Sequence, residues 1–172
     1  MPGSPAEGAP APGEPGVVVV PVTAYLWFVD LALGEMVRIV ESLGDERANR
    51  APAVDGANTP FAILTHCLGV LEFWGGATVA GRPIQRDRAA EFTARGEVAD
   101  LLARTEAARR RLHDDVGALE SLAAPLGGWR HPDDDPVPYA ETQGAVLLHL
   151  LKELFQHLGQ MEITRDLLQA QP

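Results

Sequence analysis

The stretch Thr59-Pro-Phe-Ala-Ile-Leu-Thr-His-Cys-Leu-Gly-Val-Leu-Glu-Phe-Trp74 constrains this chain more than any other. Thr59 is suited to cap a helix, and Pro60 fits the first helical position, where its missing N–H costs nothing. Beyond them, Phe61, Ile63, Leu64, Leu68, Val70, Leu71, Phe73 and Trp74 leave almost no polar face. A helix that is apolar over most of its circumference must be surrounded, at the centre of a bundle or at a subunit contact. Gly75-Gly76 reads as its end.

Three further segments carry a one-sided apolar stripe. From Thr23 to Leu43, Val29, Leu33, Met36, Val40 and Leu43 recur at helical spacing, and Gly44 supplies a stop. From Glu97 to Leu119 the stripe is Val98, Leu101, Leu102, Thr105, Leu112, Val116 and Leu119, with Arg104, Arg109, Arg110 and Arg111 as solvated surface. The last helix spans Thr142 to Leu168. No segment alternates with period two, and no internal repeat is visible. The expected fold is therefore all-α: an antiparallel four-helix bundle over residues 22–172 with long connections. Residues 1–21 are dominated by Pro, Gly and Ala and read as a disordered tail, although Val17 to Val20 could pack on something. Connections as long as 44–58, 75–96 and 121–141 tend to carry function. A short helix is expected near Arg86–Phe92.

Composition removes several function classes. The chain has 172 residues and 46% hydrophobic content, enough for one globular core. Its formal charge of −10 argues against nucleic acid and against anionic membrane surfaces as partners. No apolar run reaches the ~20 residues of a membrane span. The first basic residue is Arg38, so the start lacks the pattern of a secretion signal. Cys67 is the single cysteine, which excludes an internal disulfide and makes the cytoplasm the default compartment.

Chemistry concentrates in His149-Leu-Leu-Lys-Glu-Leu-Phe-Gln-His-Leu-Gly-Gln160. With residues placed at 100° steps, Val146, Leu147, Leu150, Leu154, Leu158 and Met161 define the apolar sector. His157 falls inside that sector and Glu153 at its border, about 40° away. A buried carboxylate is costly unless it is paired or holds a metal. Side chains at i and i+4 can reach one ion. On the earlier helix, His66 also points inward, between Phe73 and Val70. His66, Glu153 and His157 then form a three-ligand set, which leaves a coordination position open as catalytic sites do. No second Glu-x-x-His is present, so one metal is expected rather than two. The plainer alternatives are a hydrogen-bonded core histidine and an ordinary i,i+4 polar pair. His149, one turn before Glu153, could replace it as ligand or support it.

Other candidates carry less. Cys67 points about 100° away from His66 and reads as a small buried hydrophobe. His113 and His131 read as incidental, and Asp133, Asp134 and Asp135 as a solvated turn without calcium-loop spacing. Arg86 and Arg88 could steer a substrate carboxylate. The alternative is a surface salt-bridge loop around Asp87 and Glu91.

Taken together, residues 23–168 resemble the DinB-like family of metal-binding four-helix bundles. The segment Gly56–Trp74 looks like that family's second helix with its metal histidine. The run Arg86-Asp-Arg-Ala-Ala-Glu-Phe92 with Gly96 is similar to a link in actinobacterial members, and His149–Gln160 looks like the fourth-helix metal motif. The Glu153/His157 version resembles the branch of mycothiol-dependent maleylpyruvate isomerases and mycothiol transferases. That resemblance implies His66, Glu153 and His157 as ligands, most often of zinc, with His149 moved to a supporting role. Relatives often carry a further histidine where this chain has Gln160. The implied activity is a metal-dependent transferase joining a low-molecular-weight thiol such as mycothiol to a small electrophile. An isomerase or hydrolase on the same site, and a non-enzymatic bundle that dimerises and has a structural metal or none, are the other two readings.

Overall fold

The computed structural model describes residues 19–120, 122 and 142–170. The tail reading for residues 1–21 and the readings of His131 and Asp133–Asp135 fall largely or wholly outside them. Val19 and Val20 are described and are exposed and non-helical. Five helices follow: α1 (Val22–Ala48), α2 (Pro60–Val70), α3 (Arg88–Thr93), α4 (Val98–Gly117) and α5 (Gln143–Gln169). A π-helical segment, Leu71–Val79, continues α2 without a break. Among the described residues there is no strand.

Four helices make the bundle. α1 packs on α5 and α4, α2 with its π-helical extension packs on the same two, and α3 lies across α2. The expected stripes are the ones that face inward. Val29, Leu33, Met36, Val40 and Leu43 are buried on α1, and Val146, Leu147, Leu150, Leu154, Leu158 and Met161 on α5. On α4, Val98, Leu101, Thr105, Leu112 and Val116 are buried, while Leu102 and Leu119 pack at the margin. Every residue of α2 except Gly69 is buried. This helix is therefore the centre of the bundle, and its apolar circumference is used up inside one chain. α2 and its extension, Pro60–Val79, have the length and apolarity to cross a membrane, but most of that stretch is buried in the core.

The helix does not stop at Gly75-Gly76, as the sequence suggests. The two glycines sit instead where neighbours come closest. A Cβ on Gly75 would lie 2.3 Å from Leu112 Cδ1, and one on Gly76 would lie 2.2 Å from an Arg82 guanidinium nitrogen. The glycines admit packing rather than ending the helix. The backbone widens here, with Ala80 N–H donating to Gly75 O at 3.0 Å, five residues back. Such π-helical turns often mark functional segments.

Gly44 breaks α1 as expected, with φ 64° and ψ 177°, a conformation available to glycine at little cost. One more helical turn follows the break and swings Asp45 and Asn49 toward the start of α4. Asp45 Oδ1 accepts from Val98 N–H at 2.7 Å, which caps a helix whose own N-cap, Glu97, makes no side-chain cap. Asn49 exchanges hydrogen bonds with Gly96, donating to its carbonyl at 2.8 Å and accepting from its N–H at 3.0 Å. At α2, Thr59 caps as predicted, its hydroxyl accepting from Ala62 N–H at 3.0 Å.

Two classes of substitution should separate in denaturant titrations. Thr59→Ala and Asp45→Ala each remove a cap and should cost about 1 kcal/mol. Leu64→Ala opens a cavity in the fully buried centre of α2 and should cost about 2–5 kcal/mol.

Candidate metal centre

The bundle brings His66 of α2 against Glu153 and His157 of α5. One ligand atom from each of the three lies within 4.8 Å of the others, with His66 buried and the other two half-buried. The His66 and His157 rings meet edge to face at 4.7 Å. Glu153 Oε2 is 3.7 Å from His157 Nε2. Tetrahedral bonds of ~2.0–2.1 Å hold ligand atoms about 3.4 Å apart, so small side-chain rotations bring all three onto one ion.

The hydrogen bonds around the imidazoles set which nitrogen faces the cage. His66 Nδ1 lies 2.8 Å from Glu91 Oε2. An ionised carboxylate only accepts, so this hydrogen bond is made by a proton on Nδ1, and Nε2 is the ring nitrogen left to face away from Glu91. His157 Nδ1 lies 2.9 Å from Gln160 Oε1 and donates to it, which again leaves Nε2 toward Glu153. One ring nitrogen facing the group while the other donates outward is also the usual pattern around protein-bound metals.

Charge in the site is arranged around two carboxylates. Pairing with His157 holds the Glu153 carboxyl at about 2, against the opposing effect of burial, with Lys152 assisting. Lys152 Nζ donates to Glu153 Oε1 at 2.6 Å. Glu153 in turn raises the pKa of His157, which burial opposes. Burial works against ionising Glu91, but hydrogen bonds from His66 and Arg86 outweigh it and keep its carboxyl below the usual range.

The remaining candidates fall into place around this centre. His149 is largely buried, with Nε2 3.9 Å from Glu153 Oε1 and its ring edge-on to Trp74 at 4.8 Å. It is outside the three-residue group and beside its carboxylate. Arg86 is committed to Glu91, with Nε donating at 2.7 Å to one oxygen and a terminal nitrogen at 2.9 Å to the other. Its guanidinium also lies over the Phe73 ring. Arg88 is exposed and lies over Phe92, whose ring stacks on His66 at 4.6 Å. The salt-bridge reading of this loop thus holds for Arg86 and Glu91, yet the pair is buried rather than on the surface. Cys67 is fully buried, and burial first, then Glu153 and Glu91, push its thiol pKa up. His113 is partly exposed and bonds Asp30 of α1 at 2.9 Å, which ties α4 to α1.

Glu91 is the site residue that the sequence did not single out. α3 is only six residues long, too short to display a buried face by periodicity. The available signal was indirect: a carboxylate five residues after Arg86, in the link that follows a helix with an inward histidine.

The model of the DinB superfamily matches residues 29–161. No curated protein and no solved structure gives a significant match to the chain. The matched span contains His66, Glu91, Glu153 and His157 and most of all four bundle helices. The helical bundle, its central apolar helix and the family model agree, and the chain belongs to the DinB superfamily.

Proposed function

We propose that this protein is a divalent-metal-dependent thiol S-transferase, with zinc as the ion and a small thiol of the mycothiol type as co-substrate. The observation that carries the reading is the inward His66–Glu153–His157 group, whose histidines both donate from Nδ1 to outer oxygens. Three protein ligands suit a site that keeps a position open for a reactant. Bound there, a zinc ion lowers the pKa of a thiol and supplies a thiolate at neutral pH.

The chain's own residues do the rest. His66, Glu153 and His157 hold the ion, and Gln160 and Glu91 fix the two rings. His149 and Lys152 flank the outer oxygen of Glu153 and oppose its rotation out of the cage. Trp74, buried itself, packs edge-on against His149 beside the site. The overall chemistry forms a carbon–sulfur bond as the thiol loses its proton. An electrophile with a leaving group releases it, and an unsaturated one takes up a proton on carbon.

Metal analysis of the purified protein tests the site. One zinc per chain is expected in the wild type. His66→Ala and Glu153→Ala should lose it, while Cys67→Ala should keep it. Full metal in both His66→Ala and Glu153→Ala would show that the ligands lie elsewhere. Zinc should also raise the melting temperature of the chelator-treated wild type, because a ligand at 100 times its Kd adds about 2.7 kcal/mol.

A thiol-consumption assay with small electrophiles tests the reaction. Turnover should require both zinc and thiol. Turnover that persists with zinc but without thiol would replace the transferase reading with a hydrolase or isomerase.

A further inference from the structure

We infer that Glu91 is the residue that positions His66 for metal binding, and that Gly69 is the opening in α2 that admits it; the inference rests on the metal reading of the site. Glu91 comes from α3, outside the helices that supply the three ligands, and is only 8% exposed. A carboxylate at that depth needs partners, and it has both. His66 donates to Oε2 at 2.8 Å, while Arg86 grips the two oxygens at 2.7 and 2.9 Å. The result is a chain of contacts from Arg86 through Glu91 to His66, ending at the Nε2 lone pair that faces Glu153 and His157.

Gly69 shows how the backbone accommodates this. It lies one turn after His66, on the face where Glu91 descends. A Cβ at this position would lie 2.0 Å from Glu91 Oε1 and 2.5 Å from its carboxyl carbon. Those atoms are not free to move aside, because Arg86 and His66 hold both oxygens. Glycine in a helix interior is ordinarily less favourable than alanine. At Gly69 it makes room for the carboxylate.

The function of such a carboxylate is specific. It fixes the imidazole in the tautomer with the proton on Nδ1, holds the ring plane and raises the basicity of Nε2. Arg86 has a matching role: its bidentate grip holds the carboxylate in one orientation. The link between α2 and α4 is thereby tied to the metal centre by two buried charged groups.

The test compares zinc affinities, measured by competition with a chromophoric chelator, for the wild type, Glu91→Gln, Gly69→Ala and Gly117→Ala. Gly117→Ala is the control, since a Cβ there meets nothing within 4 Å. Glu91→Gln removes the charge, and Gly69→Ala displaces the carboxylate without altering any polar group. Each should weaken zinc binding by about 10–100-fold, with Gly117→Ala unchanged. Nitrogen-15 spectra of the metal-free wild type should show His66 protonated on Nδ1, a readout that does not require the variants to fold. Protonation on Nε2 would overturn the inference. So would wild-type affinity in both variants when the wild type itself binds zinc. A wild type that binds no zinc removes the metal reading and this inference together, which separates the two failures.

Discussion

The structure depends on burying α2. Phe61, Ile63, Leu64, Cys67, Leu68 and Val70 point in nearly every direction around this helix, and all are buried. No single neighbour can cover such a surface. α3 and α5 take most of it, and α1 and α4 close the remaining sides. The hydrophobic effect has no direction, so it sets how many neighbours are needed but not where each one sits. Gly75 and Gly76 settle part of that, because they let Leu112 and Arg82 approach closely enough for α4 and the following link to seat.

Burying α2 also creates the polar problem around which the site is built. His66 cannot reach water from the centre of the bundle, so both its nitrogens need partners within the fold. Glu91 serves one nitrogen, and Glu153 and His157 are the polar groups gathered beside the ring. Glu91 is itself buried and must be matched by Arg86. Each buried polar group therefore requires the next, from the core outward to the link between α2 and α4. Such networks are favourable only when every member is satisfied. That requirement gives an ordered conformation to a link that otherwise contains little apolar material.

The outer face of the site follows a different logic. Glu153 and His157 are both half-buried on α5, where water still reaches. The group thus has one deep member, His66, and two half-buried ones, Glu153 and His157. His149, Lys152 and Gln160 come from the same helix at spacings of one turn or less. That face was therefore assembled by local sequence once the helix formed.

The four long helices, their inward faces and the three inward polar groups are legible in the chain, because each follows a local period that needs no partner to be read. Thr59-Pro60 marked the start of α2, and the 100° spacing placed His157 inside the stripe and Glu153 at its edge. What lies across from what has no local period and emerges from packing alone. Gly75-Gly76 looked like a stop because glycine is a weak helix former. The fold uses them as contact points, since the atoms that require their small size come from residues 82, 84 and 112. Glu91 looked like part of a surface ion pair because its six-residue helix is too short for a period. It is buried because Gly69, twenty-two positions earlier, leaves a space beside His66 that only a folded chain can fill.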